Sequence, residues 1–190
     1  MAEFKLEISN QHWLGPIEDP QADACSHGSV RAEIGAVVVT SDEAEYGISQ
    51  SALALLRTLE QDHTPATRVT DYFLLCHGCA YPLGFGCGNF GTDWVVRHIG
   101  KQVVLTVATH RDVTLEPPKV RFDVMAVVPA DDYRREIVAF AAEARRFYVA
   151  SGPRTVEDWE QDFHDRFWAE FDERLARAEF ALAKPAVRGD

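Results

Sequence analysis

Apolar residues recur along this chain at two spacings, and the change from one to the other divides it near residue 128. In the first part the period is mostly two. Phe4-Lys5-Leu6-Glu7-Ile8 switches between apolar and polar at every step, the mark of a half-buried strand. Residues 30–40 form a second strand region bent at Gly35, and residues 71–76 a short apolar third. Residues 94–98 and 102–108 are two strands around Ile99-Gly100-Lys101, a hairpin signal. Val120, Phe122, Val124 and Ala126 alternate with Arg121, Asp123 and Met125 in another strand. One helix interrupts them, over residues 49–61. Ser49 is its N-cap, Ala52, Leu55, Leu56 and Leu59 repeat at helical spacing, and Pro65 follows its end.

From Asp131 the period becomes helical. Tyr133, Ile137, Phe140, Ala144 and Phe147 make one stripe, stopped by Ser151-Gly152-Pro153. A second helix is predicted to open at Thr155, with Asp158 at the matching capping position. Its stripe is Val156, Trp159, Phe163, Phe167, Phe171, Leu175, Ala178 and Leu182, and it frays at Lys184-Pro185. Strands with one helix over 1–128 and a helical pair over 129–184 predict a single α+β domain, 1–190. An antiparallel sheet is expected, with a short first helix and two long C-terminal helices packed on one side. Residues 10–24 read as a surface loop pinned by Trp13 and Leu14, and residues 111–118 as another loop.

Composition narrows the partners. With 30 acidic residues against 19 basic ones the net charge is −11, which argues against direct nucleic-acid binding and suits a basic protein partner. No apolar run reaches the ~18 residues of a membrane span. Met1-Ala2-Glu3-Phe4-Lys5 lacks the basic-then-apolar pattern of a secretory signal, so a cytoplasmic location is expected. In that setting four cysteines read as thiols or metal ligands rather than a disulfide frame.

Candidate chemistry concentrates in residues 74–96. Cys76-His77-Gly78-Cys79 is a C-x-x-C, with Cys87 seven residues beyond its second cysteine. Zinc takes thiolates and imidazoles at tetrahedral spacing, so Cys76, Cys79 and Cys87 with Cys25 or His27 form a candidate zinc set. The plainer reading is free cysteines packed as small hydrophobes. A thioredoxin-like use fails, because Pro82, Gly84 and Gly86 leave no helix to lower a thiol pKa. Gly86-Cys87-Gly88-Asn89-Phe90-Gly91 matches G-x-G-x-x-G, but a strand follows where a dinucleotide fold needs a helix. Those glycines read instead as a tight turn or bulge between strands. His110-Arg111-Asp112 lacks the other parts of a kinase loop.

Cys76 or Cys87 with His63, His77 or His98 and Asp93 has the residue types of a nucleophilic set, whose test is geometric. Asp62-His63 reads as the stop of the first helix, with the imidazole near its last carbonyls. Trp168 widens the last stripe and, if exposed, is the candidate anchor for a partner protein.

Cys25-Ser26-His27-Gly28, Ser51-Ala52-Leu53-Ala54-Leu55-Leu56 before Asp62-His63, and the run from Gly86 to Trp94 together carry a resemblance. The chain resembles a group of small uncharacterised bacterial proteins with Cys-x-His-Gly, Ser-Ala-x-x-Leu-Leu and Gly-Cys-x-Asn-Gly-x-Asp-Trp motifs. Here one residue is inserted between Asn89 and Gly91, and Cys76-His77-Gly78-Cys79 stands where the group has Cys-Cys-Gly-His. The likeness covers about residues 8–150 and implies no activity. Acidity, size and the lack of a coherent catalytic set lead to a cytoplasmic, non-enzymatic binding protein, immunity-type or docking on a basic protein. The alternative is a zinc protein or a metal or thiol enzyme centred on residues 76–87 with Cys25 and His27.

Overall fold

A computed structural model describes residues 4–14, 21, 23–40, 44–71, 73–76, 91–112 and 119–184, with backbone alone for 108–112 and 119–124. Strand β1 (Phe4–His12) pairs antiparallel with β2 (His27–Ile34), setting Phe4 opposite Ile34 and Ile8 opposite Val30. Phe4 and Leu6 are buried, as the alternation requires. The polar steps between them, Lys5 and Glu7, face Glu33 and Arg31 across the pair, so opposite charges meet on the outer face. β3 (Val37–Val38) folds back on the end of β2, and β4 (Tyr46–Gly47) pairs with its start. Helix α1 (Ile48–Arg57) follows β4 directly.

β5 (Leu75–Cys76) and β6 (Gly91–Thr92) form a two-stranded pair. β7 (Trp94–Ile99), β8 (Gln102–Asp112) and β9 (Lys119–Pro129) make a meander. β7 covers only residues 102–107 of β8, so β8 and β9 continue past it as a two-stranded ribbon. α2 (Ala130–Ala150) and α3 (Gln161–Ala183) complete the chain. The fold is therefore α+β, with antiparallel sheets and two long helices at the C-terminal end. No helix among the described residues is long and apolar enough to cross a membrane.

One core joins the sheets and helices. The Phe4 ring lies 4.9 Å from Tyr133 on α2 and 6.1 Å from Trp94 on β7. The Tyr133 hydroxyl meets Thr58 Oγ1 at 2.8 Å, bringing in the end of α1, and burial pushes the phenol above its usual range. Arg57 at the end of α1 grips Glu170 of α3 with two hydrogen bonds, at 2.8 and 2.7 Å. Glu170 also accepts from Arg174, and Glu60 takes both Arg174 and Arg177.

β1 and β8 run past their predicted ends to His12 and Asp112, into the two predicted loops, only Leu75–Cys76 of the predicted 71–76 strand pairs, and two helices shift. α1 begins at Ile48 after Gly47, which puts Ser49 inside its first turn, and it ends at Thr58, well short of Pro65. α3 begins at Gln161, six residues past Thr155. The Thr155 N–H is donated to the Gln21 carbonyl at 2.8 Å, and Arg154 Nε donates to the Asp23 carbonyl at 2.8 Å. Those bonds hold this stretch against the N-terminal loop, so it cannot wind into a helical turn. Trp159 and Phe163 consequently fall outside the packed stripe, at 64 % and 41 % exposure. Trp13 anchors the same loop: its Nε1–H donates to Ser151 Oγ at 2.9 Å and the Arg154 guanidinium lies 3.8 Å from its ring. Leu14, expected to share that work, is exposed.

Candidate functional site

The residues singled out in the N-terminal loop are placed by a bulge. β1 and β2 pair one-to-one as far as Ser9 and Ser29, then the register slips so that His12 opposes His27. Asn10 takes up the slip at φ 53°. A Cβ on Gly28 would lie 2.9 Å from the Ser9 carbonyl oxygen and 3.2 Å from Gln11 Cα, so only glycine lets the bulge close over it. The bulge sets Gln11 over the next segment, where its Nε2 donates to Ser26 Oγ at 2.8 Å. The Asp23 carboxylate accepts the N–H groups of Leu14 and Cys25, at 2.6 and 3.0 Å, and lies 3.6 Å from His27 Nε2. Cys25, Ser26 and His27 are fully buried.

This segment rests on the first turn of α1. Ile48 N–H donates to the Ser26 carbonyl at 2.7 Å, and Ser49 Oγ accepts the Ser26 N–H at 3.3 Å. Two residues on, Ser51 Oγ accepts the Cys76 N–H at 3.3 Å. A buried polar turn, Ser49-Gln50-Ser51, thus separates Cys25 and His27 from Cys76 while touching both segments. Of the zinc set, Cys25 and His27 lie on one side of this turn and Cys76 on the other, and Cys79 and Cys87 lie outside the described residues. Cys76 is disulfide-bonded, against the expectation of thiols or metal ligands, and a sulfur so bonded is not a thiolate ligand. Among the described residues no group of three or more His, Cys, Asp or Glu is placed to hold a metal.

Of the nucleophilic combinations, the structure brings His63 and Asp93 together. His63 is buried; its Nδ1 accepts the Val69 N–H at 3.3 Å and its Nε2 faces Asp93 Oδ1 at 3.0 Å. Asp93 also accepts the Leu74 N–H at 3.3 Å and stands 3.7 Å from Arg68. With a partner on each ring nitrogen, His63 ties β7 to the segments beside it and has no nitrogen left to take a proton from a nucleophile. The imidazole at the end of α1 belongs instead to His98, whose Nε2 meets the Thr58 carbonyl at 2.8 Å. His98 N–H donates to Asp62 at 2.8 Å, so Asp62, four residues past the C-cap Thr58, is tied to β7 and does not end the helix. His77 and Cys87 lie outside the described residues.

Trp168 does not meet the condition set for it. At 6 % exposure it lies in the α2–α3 seam, its ring 4.0 Å from Tyr148 and under the Arg145 guanidinium at 4.6 Å. The exposed tryptophan is Trp159, in the turn before α3, with Phe163 in the first turn of the helix. Between and around them run Glu157, Asp158, Glu160, Asp162 and Asp165, five acids in nine residues. Arg166 stands 4.8 Å from the Phe163 ring and pairs with Asp162 at 2.9 Å. Helical spacing assigned both aromatics to the core; the acid density of 157–165 was the signal that pointed outward.

The fold and these geometries define an acidic α+β domain with a buried polar junction at α1 and an acidic, aromatic corner at the start of α3. Comparisons with protein-family models, with curated proteins and with solved structures give no match.

Proposed function

We propose that the chain is a non-enzymatic binding protein that docks on a basic protein partner through the corner built by Trp159 and Phe163. The observation that carries this reading is two large aromatic side chains, 64 % and 41 % exposed, set among acids. Interfaces draw most of their energy from a few aromatic anchors inside a polar rim, and Trp leads that group. A net charge of −11 steers a basic partner toward such a rim. An immunity-type role, capping a basic toxin, is the specific form we favour. The test is calorimetric titration with a lysine-rich amphipathic peptide as the probe. Trp159→Ala should weaken binding at least tenfold, about 1.4 kcal/mol. A wild-type protein that ignores the peptide, or a variant that binds it as well, overturns the reading.

Zinc binding by Cys25, His27, Cys76, Cys79 and Cys87 is a second reading. It rests on the segments of Cys25–His27 and of Cys76 each bonding the first turn of α1, and it requires Cys76 to be reduced and that turn to let the two segments meet. Untagged protein purified under reducing conditions should then carry zinc, and less than about 0.2 equivalents by elemental analysis sinks it, since structural zinc is held tightly.

A further inference from the structure

Glu160 sits inside the acidic corner but differs from its neighbours. Its N–H donates to the Glu157 carbonyl at 2.8 Å and its carbonyl accepts the His164 N–H at 2.9 Å, which fixes its backbone as the N-cap of α3. The side chain makes no capping hydrogen bond. It is 2 % exposed, and Oε2 has no hydrogen-bond partner among the described residues. A carboxylate oxygen withdrawn from water without a partner is costly, and the positive end of a helix offsets only part of that cost. Glu157, Asp158, Asp162 and Asp165 around it are exposed. Buried polar atoms are normally satisfied, so a carboxylate oxygen left unsatisfied between Trp159 and Phe163 calls for a cation from outside.

We infer that the Glu160 carboxylate receives a lysine or arginine side chain of the docked basic protein. The aliphatic stem of that side chain would run along Trp159 and Phe163, whose ring faces also attract its charge. The turn over residues 158–160, closed by the Glu160–Glu157 bond, is the piece that yields to admit it. The inference rests on the docking reading above, and its distinctive consequence is a pair of opposite effects. Removing the charge should relieve the free protein and harm the complex.

The experiment compares wild type, Glu160→Gln and Trp159→Ala by thermal unfolding and by titration with the lysine-rich amphipathic peptide and its fully acetylated form. Glu160→Gln is expected to raise the Tm by roughly 2–4 °C and to weaken the peptide about tenfold or more. The acetylated peptide should bind wild type and Glu160→Gln alike. If Glu160→Gln binds the peptide as wild type does while Trp159→Ala does not, the inference falls and docking stands. If Glu160→Gln lowers the Tm, the side chain is structural and the inference falls too. If wild type does not bind the peptide at all, both fall.

Discussion

Glu170 is gripped by Arg57 from α1 and Arg174 from its own helix. The hydrogen bond from Arg57, outweighing the effect of burial, pushes its carboxyl from 4.5 down to about 2. A group more acidic in the folded state contributes stability above its unfolded value and loses it as the pH falls through the folded one. The difference in Tm between wild type and Glu170→Gln should therefore be full at neutral pH and close between about pH 4.5 and 2. A difference that stays constant across that window would show that the pair adds nothing through charge. Other single residues were legible for a different reason. Gly91 closes the G-x-G-x-x-G run, and a Cβ there would lie 2.5 Å from both the Leu75 carbonyl oxygen and Phe73 Cβ. The glycine at that position is demanded by the close approach of β5 to β6, while the turn or bulge expected of residues 86–90 lies outside the described residues.

At the scale of elements, whatever depends on local periodicity could be read from the sequence and whatever depends on distant partners could not. The β7–β8 hairpin around Gly100 and the stripe Tyr133, Ile137, Phe140 and Ala144 on α2 are set by residues within a few steps of each other. The cap of α1 is not: Ser49 has the chemistry of an N-cap, but its hydroxyl is taken by Ser26, 23 residues away. The start of α3 fails for the same reason, because Gln21 and Asp23 claim the backbone and side chain of the 154–155 step. Trp13 holds that arrangement through Ser151, Phe147 and Arg154. Trp13→Ala should cost about 2 kcal/mol. Hydrogen exchange should show the Thr155 amide losing protection while the amides of β8 and β9 keep theirs. Uniform loss across the molecule would mean that Trp13 supports the whole fold and not this clamp.

For the whole molecule the open question is how an acidic body and an aromatic corner divide the work of binding. Charges at a rim act at a distance and fade beyond about 10 Å at 0.1 M salt, whereas a packed aromatic acts only on contact. The exposed acids Glu157 and Asp158 belong to the first kind and Trp159 to the second. Stopped-flow association with the lysine-rich peptide should accordingly slow about tenfold or more as salt rises from roughly 0.05 to 0.5 M, with little change in dissociation. The double substitution Glu157→Gln, Asp158→Asn should lower the association rate and flatten that salt dependence. Trp159→Ala should leave the salt dependence intact and speed dissociation. Were the tryptophan substitution instead to act only on association, the ring would be steering and not anchoring, and the corner would be an acidic surface of the ordinary solubilising kind.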